Sequence, residues 1–415
     1  MSANVFSHDL FLSKRGDRKT LRELKAILCS KKDLSLLLVL FLMEFTRGAF
    51  FLTFLPLYAV NYLGISVASA GLAVSLHYLV ETLFKSAAGC QLDRRGHPIM
   101  IYGLLLGAAA LISMKLYPTA PVLMVGSALF GLGVSPVWLA VISSVAPVQL
   151  KDRAARMGII FAVWLIGGGG GPIAINFLIA KDYDSAFWLL IALWGAAFFI
   201  TLAAVSGPAE TTVKGAGFSF KEEVSKMAQN QAVKKLLLPG MFLQTMAGGV
   251  LLPLLPLYAQ NKIGLNPNQY AVLLLAGGTA AVLSFLPMGR LADRINLKIL
   301  LGTGFGMTAA SLALFSTAYN AVTAYLLAAL AGFSYAAVLP AWNNLLAKVI
   351  SPERQATGWS VFATVEGMGI AIGPALGGTV AKYFGIPAAV LISIIILAIM
   401  ACFYLLYPVE KLFTK

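Results

Sequence analysis

One long apolar stretch follows another along this chain, and this repetition constrains the fold more than any other feature. An α-helix needs about 20 apolar residues to cross the hydrocarbon core of a bilayer. A membrane β-barrel would instead show alternating segments of roughly 10 residues. We predict an all-α integral membrane protein with twelve transmembrane helices. The predicted spans are 34–63, 70–92, 99–117, 121–150, 155–181, 184–206, 235–262, 268–292, 297–318, 320–350, 353–384 and 386–408.

The composition excludes several classes of protein. Of the 415 residues, 59% are hydrophobic and 12% are charged, which is unlike a soluble domain of this size. The net charge of +14 would suggest nucleic-acid binding in a soluble protein. Here we expect no nucleic-acid partner, because most of the positive residues lie on one predicted side of the membrane. The sequence shows no nucleotide-binding, metal-ligand or nucleophile–base motif, so we expect neither hydrolysis nor ATP-driven transport.

Lysine and arginine residues predict the orientation, because cytoplasmic loops carry an excess of them. With the N-terminus inside, 25 of the 31 lie on the cytoplasmic side and four lie outside, while Arg47 and Lys85 fall within spans. Both termini are therefore predicted to be cytoplasmic. The predicted parts are a basic segment at 1–33, a six-helix bundle at 34–206, a linker at 207–234, a second bundle at 235–408 and a tail at 409–415.

The two halves of the chain repeat one another. Leu55–Ala59 recurs as Leu255–Ala259, and Gly89–Arg94 recurs more loosely as Gly289–Arg294, both at an offset of 200 residues. Repeated halves of six helices place a substrate site at their interface near the bilayer midplane, with rocking of the halves for alternating access. The repeat therefore favours a secondary transporter rather than an enzyme.

Short motifs recur in both halves. One is the pattern G-x-x-x-D-R-x-G in the loop after the second span, with a weaker echo in the second half. Another is a glycine–proline pair that follows a glycine-rich stretch on the fifth and eleventh spans. These motifs resemble signatures of the major facilitator superfamily, the second its antiporter motif. The resemblance implies the superfamily fold, and it implies that these residues act in conformational change. They are Gly89, Asp93, Arg94, Gly96, Asp293, Arg294, Gly171, Pro172, Gly373 and Pro374.

Further motifs lie at residues 41–48, 134–138, 143–145 and 339–343. They give a closer resemblance, to the lipoteichoic acid glycolipid flippases of Gram-positive bacteria. It implies proton-coupled movement of diglucosyl-diacylglycerol from the inner to the outer leaflet of the bacterial cell membrane. The implied ligands are protons and the glycolipid, with no cofactor beyond the proton gradient, and the implied partners are lipoteichoic acid synthesis enzymes. Lys85 departs from the family pattern.

Three carboxylates lie inside apolar spans, at Glu44, Glu81 and Glu366. A charged residue near the bilayer centre costs roughly 2.5–3.5 kcal/mol, so such groups persist mainly where they face the protein interior or a water-filled path. Glu44 and Arg47 are spaced i, i+3 and can pair, either as a proton-responsive pair or as a static one. We predict that Glu81 is the leading proton carrier.

His77, Glu81 and Lys85 form a stripe along one helix face at spacing i, i+4, i+8. His77 can relay or tune the proton, because unperturbed histidine titrates near pH ~6.5. The alternative is a histidine that only packs between helices. Lys85 either contacts the substrate or extends its charge toward the membrane interface.

Aromatic and polar residues inside the spans are candidates for substrate contact. Aromatic faces pack well against sugar C–H groups, and the alternative for each tryptophan is core packing. Gln244 occupies the repeat position of Glu44, so the ionisable groups are concentrated in the first half. Two other functions stay open, a proton-coupled exporter of drugs or small amphiphiles and a non-transporting receptor or scaffold. The substrate candidates are Trp138, Trp164, Lys85, Glu366, Trp342, Asn343 and Gln244.

Overall fold

Helices form all of the regular structure in the part of the chain that the computed structural model describes. That part is residues 30–96, 98–147, 150, 153–204, 230, 233–292, 294–349 and 355–407. The remainder of the predicted N-terminal segment, linker and C-terminal tail lies outside it, as does Asp293. Within the described part, eleven helices are long and apolar enough to cross a membrane, or twelve when one bent pair counts as a single span. The all-α prediction is therefore confirmed.

The helices follow the predicted spans closely. The first six are α1 (Lys31–Tyr62), α2 (Val67–Arg95), α3 (Pro98–Leu116), α4 (Ala120–Val145), α5 (Arg153–Ile179) and α6 (Tyr183–Ala204). The second six are α7 (Val233–Leu251, continued as Leu254–Asn261), α8 (Pro267–Ala292), α9 (Leu297–Phe315), α10 (Ala321–Val349), α11 (Gln355–Phe384) and α12 (Ile386–Leu406).

The seventh span differs from the prediction because it bends by 41° between Leu251 and Leu254. Pro253 lies at the break, where a proline cannot donate the backbone hydrogen bond that would continue the helix. At the repeat position in α1 the chain has Thr53 instead, and there Phe50–Phe54 form a π-helical turn without a break. The first helix of each half thus departs from regular α-helical geometry at the same repeat position. The departure is a break in α7 and a π-helical turn in α1.

The motif after the second span is helical rather than a loop. Gly89, Asp93 and Arg94 lie in the last turns of α2, which ends at Arg95. Gly96 follows with a φ of 69°, a left-handed conformation that favours glycine, and its N–H donates to the carbonyl of Leu92. The loop prediction was wrong because nothing before Gly96 interrupts the helix.

Packing follows the repeat. In the first bundle α1 contacts α5 and α6, α2 contacts α4, and α3 contacts α4 and α6. The second bundle has the same arrangement, with α7 against α11 and α12, α8 against α10, and α9 against α10 and α12. The bundles meet where α2 packs on α11 and α5 packs on α8. This is the twofold arrangement that the repeated sequence predicts.

Small residues bring the central helices into backbone contact. A Cβ atom added to Gly171 of α5 would collide with the carbonyl oxygen of Phe45 on α1. At the equivalent place in the second bundle, Gly373 of α11 lies against Gly249 and Met246 of α7. Such close approach is typical of helix pairs inside membranes.

The α2–α11 contact includes close backbone approach at the end of the molecule that holds the short 62–67 and 384–386 connections. Gly71 of α2 packs on Pro374, and Gly378 of α11 packs on Val67. Deeper in the molecule, the Ala375 N–H donates to Ser75 Oγ at 2.7 Å. A further hydrogen bond joins Asn61 and Gln260 at 3.0 Å, between the ends of α1 and α7. The two bundles are thus fastened together at this end.

Candidate functional site

Four charged side chains from α1 and α2 form one continuous cluster, which we call the charge cluster: Glu44, Arg47, Glu81 and Lys85. Arg47 donates to Glu44 Oε2 from Nη2 at 2.6 Å and from Nε at 3.0 Å. Its third nitrogen, Nη1, lies 3.3 Å from Glu81 Oε2. Lys85 Nζ approaches the other oxygen of Glu81 at 3.4 Å. The structure therefore joins the Glu44–Arg47 pair to Glu81 and Lys85 of the predicted stripe.

Charge alternates along the cluster, from acid to base to acid to base. With both carboxylates ionised, the two negative and two positive charges balance. The exposed fraction of the side chains rises along the cluster, from 4% for Glu44 through 15% for Arg47 and 14% for Glu81 to 42% for Lys85. Buried ions need such partners, because each pays a large desolvation cost. Glu81 contacts both cations, so its protonation changes the cluster most.

Neighbouring residues fix the position of Arg47 and Glu44. The Arg47 guanidinium carbon lies 5.9 Å from the ring centroid of Tyr78, within the range of a cation–π contact. Gly167 of α5 lies against the Cβ atom of Glu44 and the carbonyl of Phe41. A larger residue at Gly167 would push α5 away from α1. The sequence did not single out Tyr78, because a tyrosine next to a histidine in an apolar span has no distinctive spacing.

His77 is buried in an aromatic cluster beside the charge cluster. Its ring stacks on Phe51 with centroids 3.9 Å apart and planes 9° from parallel, and it also contacts Tyr78 and Phe130. Its Nε2 atom lies 3.7 Å from Glu81 Oε2, which is beyond hydrogen-bonding distance. This geometry favours the packing alternative for His77, while the imidazole remains close enough to Glu81 to respond to its charge.

The tryptophans that the sequence singled out divide between two places. Trp138 of α4 and Trp164 of α5 contact each other edge to face at 6.3 Å, and Phe161 joins them at 5.6 Å from Trp138. Trp342 lies apart from them in the core of the second bundle. It is 1% exposed and packs against Tyr404. Its position therefore favours core packing over substrate contact. The adjacent Asn343 is exposed on α10.

A second polar group lies in the other bundle, at Gln244 of α7, Tyr335 of α10 and Glu366 of α11. The Gln244 amide donates from Nε2 to the Tyr335 hydroxyl at 2.9 Å. Glu366 of α11 lies close enough to Tyr335 for a negative charge on the carboxyl group to act on the phenol. The structure thus joins two sequence candidates, and it adds Tyr335, which the sequence analysis missed because a lone tyrosine in an apolar helix carries no signal.

An apolar cavity of about 700 Å³ lies between the two bundles, where α5 faces α7 and α8. Its walls are mainly aliphatic side chains and glycines, and Thr279 and Tyr270 are the polar residues among them. Small-molecule sites in proteins commonly have volumes of about 300–1,000 Å³, so the cavity is large enough to hold a ligand. Representative wall residues on the three sides are Leu165, Ile173, Leu251, Leu274, Leu275 and Val282.

The remaining motif residues lie at helix contacts and helix ends. Gly171, Pro172, Gly373 and Pro374 are buried at the α1–α5, α7–α11 and α2–α11 contacts, and their role in conformational change stays a prediction. Arg94 is exposed at the end of α2, and Arg294 follows α8. The side chain of Asp93, like Asp293, lies outside the described residues. In the described part of the chain, no group of three or more His, Cys, Asp or Glu side chains could hold a metal ion.

The fold and the repeated bundles define a transporter of the Major Facilitator Superfamily, and the chain belongs to that family. The family model matches residues 36–238 and again residues 237–414, once for each half. Two solved structures share the fold at 16% sequence identity. A bacterial homologue of the human lysosomal transporter Spinster has a TM-score of 0.74, with 91% of this chain and 96% of that chain covered. A nucleoside transporter, NupG, has a TM-score of 0.73, with 90% and 98% covered.

Two similar proteins share more sequence with this chain than those structures do, and both are named proton-coupled antiporter flippase LtaA. The protein from Staphylococcus haemolyticus is 30% identical over 399 residues, covering 92% of this chain and 95% of the relative. The protein from Staphylococcus aureus is 29% identical over 392 residues, covering 90% and 94%. The chain is thus a multi-pass membrane protein of the superfamily, close to these flippases.

Proposed function

We propose that this protein is a proton-coupled transporter that flips a glycolipid anchor, diglucosyl-diacylglycerol, from the inner to the outer leaflet for lipoteichoic acid assembly. The observation that carries the proposal is the position of Glu81, which contacts both Arg47 and Lys85 in a membrane-embedded cluster. The names of its staphylococcal relatives support proton coupling and flipping. The proposal of a diglucosyl headgroup rests on the resemblance of segments such as 41–48 to the glycolipid flippases.

Proton coupling follows from the charges in the cluster. A proton on Glu81 removes the negative partner of Arg47 Nη1 and Lys85 Nζ, and the cluster then carries one net positive charge. A membrane-embedded net charge is costly, so the protonated state favours rearrangement of α1 against α2 or binding of a polar group that accepts hydrogen bonds from the cations. Glu44 keeps Arg47 anchored to α1 meanwhile, through its two hydrogen bonds.

The separation of polar and apolar surfaces supports an amphiphilic substrate. The charge cluster lies on α1 and α2, whereas the apolar cavity lies between α5, α7 and α8. We propose that the headgroup binds beside the cluster and that an acyl chain occupies the cavity. Burial of hydrocarbon chains there stabilises the complex by the hydrophobic effect only to the extent that the chains leave water or a polar surface, so the headgroup contacts provide most of the selectivity.

In the proposed orientation, the contacts between the two bundles take part in alternating access. With both termini cytoplasmic, the end fastened by Gly71, Pro374 and Gly378 faces the cell exterior. Rocking of the bundles about the α2–α11 and α5–α8 contacts would open this end and close the opposite one. The substrate headgroup would then pass between leaflets without crossing the hydrocarbon.

The test is a reconstitution in proteoliposomes that contain fluorescent diglucosyl-diacylglycerol. Leaflet exchange is measured with and without an imposed pH gradient. We expect gradient-dependent flipping by the wild type and its loss in Glu81→Gln, which keeps the shape of the side chain but cannot ionise. Asp184→Asn is the matched control, because Asp184 pairs with Lys115 at an exposed helix end far from the cluster in sequence.

The outcomes separate the candidate functions. Wild-type coupling in Glu81→Gln would overturn the assignment of the proton carrier. Absence of glycolipid flipping, together with gradient-driven movement of other amphiphiles, would favour the exporter. The apolar walls of the cavity are also compatible with binding of various small amphiphiles. A protein that folds in the liposomes and moves neither lipid nor protons would favour the non-transporting receptor or scaffold.

A further inference from the structure

We propose that Gln244, Tyr335 and Glu366 form a second headgroup subsite, which binds sugar hydroxyl groups from the side of the second bundle. The inference rests on the proposed function and adds to it a named contact surface for the glycan. We call these three residues the hydroxyl subsite. They come from α7, α10 and α11, so only the folded bundle brings them together.

Gln244 supplies the observation that points to a ligand. The residue is 6% exposed, its Nε2 atom donates to the Tyr335 hydroxyl at 2.9 Å, and its Oε1 atom has no hydrogen-bond partner within the described residues. Exchanging the amide oxygen and nitrogen would leave the nitrogen unpartnered instead. Leaving a buried polar atom without a hydrogen-bond partner is energetically unfavourable. A bound hydroxyl group would satisfy it in either orientation, since a hydroxyl both donates and accepts.

The chemistry of the subsite differs from that of the charge cluster. Glu366 forms no ion pair with any residue that the structure describes, whereas Glu44 and Glu81 both contact cations. An amide, a phenol and a carboxyl group together offer several donors and acceptors and no fixed positive charge. That set suits the neutral, hydroxyl-rich surface of a sugar better than it suits a phosphate or another anion.

The hydroxyl subsite lies close to the first bundle. Gln244 is the repeat counterpart of Glu44, and α7, α10 and α11 are the counterparts of α1, α4 and α5. Glu366 adjoins Gly367, which packs against Thr82 of α2, one residue after Glu81. The hydroxyl subsite therefore borders the contact between the bundles at the depth of the charge cluster. A two-sugar headgroup could be held from both sides, by cations in one bundle and by the amide and phenol groups in the other.

The test compares two lipids with identical acyl chains, diglucosyl-diacylglycerol and diacylglycerol. The purified full-length protein is titrated with each in mixed micelles, and the apparent Kd is read from ligand-dependent thermal stabilisation. We expect Tyr335→Phe and Gln244→Leu each to weaken glycolipid binding about 2- to 10-fold, the effect of losing one hydrogen bond. Binding of diacylglycerol should not change. Tyr335→Phe removes a single oxygen atom, so it tests the inference even if Gln244→Leu fails to fold.

Tyr325→Phe is the matched control, because Tyr325 lies on the same helix and packs in a separate apolar cluster. It should bind both lipids as the wild type does. Unchanged glycolipid binding in Tyr335→Phe would overturn the hydroxyl subsite alone, and so would an equal loss of binding for both lipids, which would indicate a structural role. A wild type that does not prefer the glycolipid to diacylglycerol would contradict the proposed function itself, and the subsite with it.

Discussion

Arg47 Nη1 lies 3.3 Å from Glu81 Oε2, and this contact joins α1 to α2 within the membrane-spanning part of the molecule. The same guanidinium holds Glu44 through two other nitrogens. Lys85 also contacts Glu81, but it does so from one turn away on the same helix and is far more exposed. The two cations therefore have unequal structural importance.

Replacement of Arg47 should destabilise the protein far more than replacement of Lys85. Arg47→Ala leaves two buried carboxylates without their shared partner, and removal of one member of a buried ion pair costs about 3–5 kcal/mol. Lys85→Ala removes a partly exposed contact, which is worth at most about 1 kcal/mol. Thermal unfolding of the purified variants in detergent measures the difference. Equal destabilisation by the two substitutions would contradict the ranking.

His77→Phe should retain proton-coupled flipping if His77 packs and does not relay protons. The phenyl ring can keep the stack on Phe51, whereas His77→Ala opens a cavity among aromatic rings and should cost about 3 kcal/mol or more. Flipping assays with the two variants, corrected for the amount of folded protein, provide the measurement. Loss of coupling in a well-folded His77→Phe variant would instead establish a relay.

Gly171→Ala should weaken the contact between α1 and α5. The added methyl group meets the carbonyl oxygen of Phe45, and overpacking of this kind costs roughly 1–3 kcal/mol. Gly170→Ala is a close control, because the same atom added one residue earlier meets nothing within 4 Å. Unfolding temperatures should therefore fall for Gly171→Ala only. A similar fall for both would mean that general helix properties, not the contact, are responsible.

Gly278→Phe should obstruct the apolar cavity. Gly278 forms part of the wall and has open space around it, so the aromatic ring would enter the volume proposed for an acyl chain. Expulsion of the chain should slow glycolipid flipping by roughly 5- to 150-fold, as expected for a steric cost of ~1–3 kcal/mol. Gly195→Phe, on α6, provides a substitution of equal size at another open position. Equal flipping by the two variants would place the acyl chain outside the cavity.

The sequence predicted features that depend on spacing along one helix. Hydropathy located every span, and the i, i+3 and i, i+4 spacings anticipated the Glu44–Arg47 and Glu81–Lys85 contacts. These features are local, so the pitch of an α-helix is enough to derive them.

Contacts between helices were harder to predict. The bridge from Arg47 to Glu81 depends on how α1 and α2 are aligned, and Tyr335 acquires meaning only when α10 packs beside Gln244. The stacking of His77 on Phe51 similarly depends on the relative rotation of two helices. Trp342 is buried because its face of α10 points into the second bundle. The sequence does not predict which face of α10 is buried, because the helix is apolar on all sides.

The balanced charges of Glu44, Arg47, Glu81 and Lys85 have a consequence for the response to membrane voltage. In the proposed mechanism, rocking of the first bundle would move no net charge of this cluster through the electric field when both carboxylates are ionised. With a proton on Glu81, the same motion would move one positive charge, and a full crossing of 100 mV is worth about 2.3 kcal/mol. The electrical and chemical parts of the proton-motive force would therefore act on one carboxyl group, and only the protonated half of the cycle would be voltage-sensitive.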